Sequence, residues 1–209
     1  MKLLLIDSRI DDKQTVIDSL LSDTKYIIID YFIDTFQSIK DKIYQLNINN
    51  FINVGIFQEN DINPIYQFIK SFQCSILNNV ETSDPQLNSW SNFYELLIFL
   101  KTDVGMQNLD IMDCNIYNNE NWKYVIDRLS EKLSININAS TNETGNSAMN
   151  GDWILEYGNV NLIGFYFTDN IKNYKYILGG SSTAVHSLII GDDGLVYACG
   201  RNVIGQYGQ

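Results

Sequence analysis

The chain has 209 residues, of which 45% are apolar, 12% aromatic and 19% charged, enough for one large core or for a domain of about 150 residues with an appendage. Its formal charge of -11 disfavours polyanions, because phosphate binding needs clustered Lys and Arg that release counterions. Nucleic acid and anionic membrane surfaces are therefore not expected as partners. Cys74, Cys114 and Cys199 are widely spaced and form no CxxC pair, which argues against a disulfide framework or a zinc cluster and for a reducing, intracellular setting. The apolar run Leu3–Ile6 is too short for a signal peptide, and no run approaches the roughly 18 apolar residues of a membrane span. Asn and Ile each exceed roughly one residue in ten, a skew against average usage that suggests an AT-rich genome, such as that of a large virus or an amoeba.

Short β-branched runs alternate with segments of helical period, the pattern of βαβ units and a mostly parallel sheet. Leu3 to Asp7 reads as the first strand and Asp11 to Leu21 as a helix with Val16, Ile17, Leu20 and Leu21 on one face. Tyr26 to Asp30 reads as a strand buried on both faces. Thr35 to Leu46 reads as a helix, with Phe36, Ile39, Ile43 and Leu46 repeating every three or four residues. Asn53 to Phe57 gives a third strand, Ile65 to Phe72 a further strand or hairpin arm, and Asn78 to Asn88 a loop. Trp90 to Lys101 and Asn121 to Leu133 read as helices on either side of a strand at Leu109 to Asp113. A fifth strand, Ser134 to Ala139, closes the unit.

Ser140 to Gly151 is small and polar, a loop of functional type, and Trp153 to Glu156 resumes as a short strand. Beyond about Thr168, glycines punctuate short apolar pairs in the manner of turn-dense β-structure. The expected organisation is an α/β domain over 1–170 and a β appendage over 171–209. The aromatics Tyr157, Phe165, Tyr166, Phe167, Tyr174 and Tyr176 would then form the seam between the two, or a protein-binding surface.

Two stretches carry resemblances. One is Leu109-Asp110-Ile111-Met112-Asp113-Cys114-Asn115, followed by Asn138-Ala139-Ser140-Thr141, Thr144-Gly145 and Gly151-Asp152-Trp153-Ile154-Leu155-Glu156. With the opening Leu5-Ile6-Asp7-Ser8-Arg9, it resembles a bacterial domain of unknown function that often heads very large surface or secreted proteins. That domain is similar to the caspase-like fold, so the resemblance implies a three-layer sandwich around a mostly parallel sheet. It also implies a catalytic dyad of a His-Gly after one strand and a Cys after the next. A thiol needs a neighbouring base to become a thiolate near neutral pH. The cysteine position falls on Cys114, and the histidine position falls on Gln58, between Phe57 and Glu59. A glutamine amide cannot accept the thiol proton, and Asp113, where the family has glycine, raises the cost of a thiolate.

The second resemblance runs from Ile177 to Gly208, with Leu178-Gly179-Gly180, His186 to Ile190, Asp193 to Gly200 and Gly205-Gln206-Tyr207-Gly208. It resembles one repeat of the regulator of chromosome condensation type, in which His186, the chain's single histidine, serves blade packing. One such repeat cannot close a propeller, because each blade buries its faces only against neighbours. A protein partner or self-association is therefore expected.

No cofactor or metal is expected, since no Gly-rich phosphate loop follows a strand and the one histidine has no companions at ligand spacing. Asp7, Asp30, Asp110 and Asp113 flank strands and could hold a divalent cation, although strand-end aspartates also serve as caps and turn formers. The reading is a non-catalytic interaction or structural module with Cys114 and Gln58 as vestigial site positions. The alternative is a cysteine hydrolase using Cys114.

Overall fold

Rows of apolar side chains in register across five strands set the architecture. The computed structural model describes residues 1–30, 33–48, 50–58, 85–179, 186–190 and 196–200. The strands β1 (Lys2–Asp7), β2 (Thr24–Ile29), β3 (Asn53–Phe57), β4 (Asn108–Met112) and β5 (Asn136–Ala139) form one sheet in the order β2-β1-β3-β4-β5. Every pairing in it is parallel. The row Ile27, Leu5, Ile56, Ile111 and Ala139 lies on one face, and the next row, Ile28, Ile6, Phe57 and Met112, on the other.

Helices cover the first face. These are α2 (Phe36–Gln45), α3 (Pro85–Thr102) and α4 (Glu120–Leu133), which follow the short α1 (Lys13–Asp18) in chain order. They bury Ile39 and Ile43, Leu96, Leu97 and Leu100, and Trp122, Val125, Ile126, Leu129 and Leu133 against the sheet, each aliphatic contributing about 1.5–3 kcal/mol. Thr35 caps α2 by accepting the Ser38 amide at 3.1 Å. Pro85, expected in a loop, opens α3 instead; proline suits a first helical position, where its missing N–H would have had no partner.

The second face is covered differently. Val16 of α1 joins Trp153, Leu155, Leu162, Tyr166, Phe167, Ile171, Tyr174 and Leu178 in a second core. This stretch holds the two-residue strands β6 (Ile154–Leu155) and β7 (Val160–Asn161) and a 3-10 turn at Asp169–Asn173. The aromatics expected at a seam between domains are in fact core: Tyr166, Phe167 and Tyr174 are fully buried. β2 also departs from expectation. As an edge strand it leaves Tyr26 and Ile28, on the second face, more than a third exposed.

The chain divides into two compact units, Met1–Gly179 and Gly180–Gln209, a boundary later than the one expected near Asn170. In the second unit, β8 (His186–Ile190) and β9 (Val196–Gly200) pair antiparallel. The expected strand at 65–72, Cys74, Glu59 and the side chains of His186 and Cys199 lie outside the described residues. No helix among the described residues is long and apolar enough to cross a membrane.

Candidate functional site

In an open parallel sheet the C-terminal strand ends form the usual ligand crevice, at the point where the strand order reverses. Here that point lies between β1 and β3, and the candidate residues gather beside it. Gln58 follows β3, and Asp113 and Cys114 follow β4, so Gln58 and Cys114 stand at neighbouring strand ends, with the Gln58 backbone N–H donating to the Met112 carbonyl across the pair at 3.3 Å. The Gln58 side chain turns to Asp113, donating Nε2–H to Oδ2 at 3.0 Å. The other Asp113 oxygen accepts the Cys114 amide at 2.7 Å. All three residues are buried.

The thiol is enclosed by backbone. Cys114 Sγ accepts the Thr144 amide at 3.2 Å and faces the Thr144 carbonyl at 3.6 Å. Thr144 Oγ1 in turn donates to the Asp113 carbonyl at 3.0 Å. Gly179 lies across the sulfur: a Cβ placed there would come within 2.9 Å of both Cys114 Sγ and Glu143 Oε2. Burial first, and then the hydrogen bond and charge of Glu143, push the thiol pKa far up; the Thr144 amide opposes them without reversing the direction. Cys114 is thus enclosed, and its surroundings favour the thiol over the thiolate.

The segment expected to be a functional loop is a staple. Gly145 N–H donates to the Asp152 carbonyl at 2.7 Å, and Asp152 N–H donates to the Glu143 carbonyl at 2.9 Å. The Asp152 carboxylate accepts from Ile154 N and Asn142 Nδ2, and Glu156 accepts from Thr141 N at 2.7 Å. Trp153 stacks on Phe57 with ring centroids 6.3 Å apart. The final strap of the unit closes on this staple, with Leu178 N donating to Thr144 O and Asn146 N to Tyr176 O. Gly145, at φ +133, passes so close that a Cβ would stand 2.5 Å from the Tyr176 carbonyl.

These pieces match one known pattern. The model of a family described as a domain of unknown function, DUF4347, covers residues 3–178. The chain belongs to that family. No curated protein and no solved structure matches the chain. The DUF4347 match ends at the strap over Cys114, so Ile177, Leu178 and Gly179, expected to begin the propeller-type repeat, are part of this first unit.

The strand-end carboxylates do not converge on a cation. Asp7 is buried and held by Arg9, through its backbone N–H and Nε at 2.9 Å and through an ion pair. Asp110 sits inside β4, not at its end, and accepts from Tyr166 OH and Asn138 Nδ2, each at 2.6 Å. Among the described residues no group of three His, Cys, Asp or Glu side chains could share a metal. Glu143, Thr144 and Gly179 surround the thiol; the sequence marks Glu143 only as a carboxylate that could cap a turn or hold a cation, and Gly179 only as part of the C-terminal resemblance, and ties neither to Cys114. The pair Thr144-Gly145 marked the segment, but nothing local indicates that residue 179 returns to residue 114.

Proposed function

We propose that this DUF4347 domain acts without catalysis, as a protein-interaction or structural module of degenerate caspase-like type carrying a propeller-type repeat. The observation that supports the reading is the enclosed thiol: Cys114 is capped by Gly179 and Thr144, while the residue in the expected base position, Gln58, is committed to Asp113. An amide nitrogen in that place has no lone pair for a thiol proton. Nucleophilic catalysis by cysteine needs the reverse arrangement, an accessible sulfur with a depressed pKa.

The competing reading, a cysteine hydrolase using Cys114, would have to use Glu143 as its base. A carboxylate hydrogen-bonded to a buried thiol keeps the proton on sulfur, which weighs against it. Alkylation of the intact chain across pH, resolved by peptide to separate Cys114 from Cys74 and Cys199, tests the proposal. An apparent Cys114 pKa above the ordinary thiol value of about 8.5 supports it, and one below about 7 restores the hydrolase. Function then rests on protein contacts, with the C-terminal repeat as the expected contact element.

A further inference from the structure

At the opposite end of the strands from Cys114, the second face of the sheet carries an open cavity of about 550 Å³, within the range of small-molecule sites. Its floor is made of amides. Asn53, Asn108 and Asn136 are the first residues of β3, β4 and β5 and lie in register. They form a ladder in which Asn136 Nδ2 donates to Asn108 Oδ1 at 2.8 Å and Asn108 Nδ2 to Asn53 Oδ1 at 2.9 Å. The ladder leaves the Asn53 amide hydrogens at one end and the Asn136 carbonyl oxygen at the other for a ligand. One layer deeper lies Asp110, whose carboxylate is satisfied by Tyr166 and Asn138. Phe165, Tyr157 and Val160 supply apolar walls, and Tyr157 is held rigid by stacking on Tyr117 at 3.7 Å. Gly158, at φ +98, keeps the wall thin, since a Cβ there would strike Asn138 Oδ1 at 1.8 Å.

We propose that this cavity binds a saccharide: a neutral ring whose hydroxyls take the donors and acceptors of the asparagine ladder and whose C–H face lies on the aromatic wall. The lining decides the class. No Lys or Arg lines it, which disfavours phosphates and carboxylates. Its one carboxylate is already paired, so a cation gains no free charge. An apolar ligand would strand the amides without partners, at about 1–3 kcal/mol for each buried group. Hydroxyls, each both donor and acceptor, suit an amide ladder at either end. The cavity is separate from the Cys114 site, so this inference stands independently of the proposed function.

The test uses the intact, isotope-labelled chain titrated with glucose, galactose and N-acetylglucosamine, and with the disaccharides lactose and chitobiose, read from the asparagine side-chain amide resonances. Disaccharides binding more tightly than monosaccharides point to a glycan as the source, and equal affinity to a free sugar. The expected result is saturable shifts in Asn53, Asn108 and Asn136, with affinity weakened about tenfold or more in Asn136→Leu, whose exposed position leaves the fold intact by the wild-type pattern of the other amides. Shifts that do not saturate for any of the five sugars, or binding unchanged in both Asn136→Leu and Asn53→Ala, would overturn the proposal.

Discussion

At the scale of single residues, polar groups inside the first unit are committed to one another. Gln58 and Asp113 show this at the thiol. Restoring the expected base with Gln58→His leaves Cys114 no more reactive, because Gly179 and Thr144 still cover the sulfur, and it costs about 1–3 kcal/mol by removing the amide donor from a buried carboxylate. Denaturant melts and peptide-resolved alkylation of that variant check both parts. Asp110 gives a pH prediction. Burial holds its pKa above the ordinary carboxylate range, against the opposing hydrogen bonds of Tyr166 and Asn138. A carboxyl group raised on folding stabilises fully below its unfolded pKa, and that contribution is lost as pH rises through the folded value. Relative to wild type, Asp110→Asn should therefore gain stability as pH rises from about 4, and urea midpoints across a pH series measure the trend. A difference that stays flat with pH contradicts it.

Among elements, legibility followed periodicity. β3 was read to the residue and α4 to within one residue of its start, and α4 buries Trp122, Val125, Ile126, Leu129 and Leu133, because strands and helices against a sheet must repeat every two or 3.6 residues. The cover of the second face has no period: residues 153–178 pack as turns and aromatic rings, and their partners are set by tertiary contacts alone. The adjacency of Gln58 and Cys114 was implied by the family resemblance, which sets the two positions at neighbouring strand ends, and not by spacing, since residues 65–72 read as a further strand or hairpin arm between them. The closure of the strap on the staple was not, since it joins residues about thirty apart through backbone atoms. The saccharide cavity was hidden for a similar reason, because an asparagine opening each of three strands becomes a ladder only when the register is known. One consequence concerns Gly145. Gly145→Ala places a side chain against the Tyr176 carbonyl at a backbone angle that favours glycine, which should cost about 1–3 kcal/mol and speed labelling of Cys114 as the strap lifts. Unchanged melting and labelling would show that the strap does not govern the thiol.

For the whole molecule, the boundary after Gly179 predicts unequal truncations. A chain ending at Gly179 keeps the second core intact and should melt as the full chain does. A chain ending at Tyr176 loses Leu178, fully buried, together with the bond to Thr144, and should lose about 2–5 kcal/mol. Equal melting of the two truncations would contradict the boundary. If the unit Gly180–Gln209 is the contact element, its removal changes the oligomeric state or solubility, and light scattering of both forms decides this. At the centre stands the claim that Cys114 is sealed rather than poised. The most direct measurement compares Cys114 alkylation at neutral pH in the native full chain with the same chain unfolded in urea. The account predicts that folding slows labelling by about a hundredfold or more, because the sulfur is reached only through local opening. Native labelling as fast as the unfolded rate, or faster, would mean an exposed and activated thiol and would contradict it.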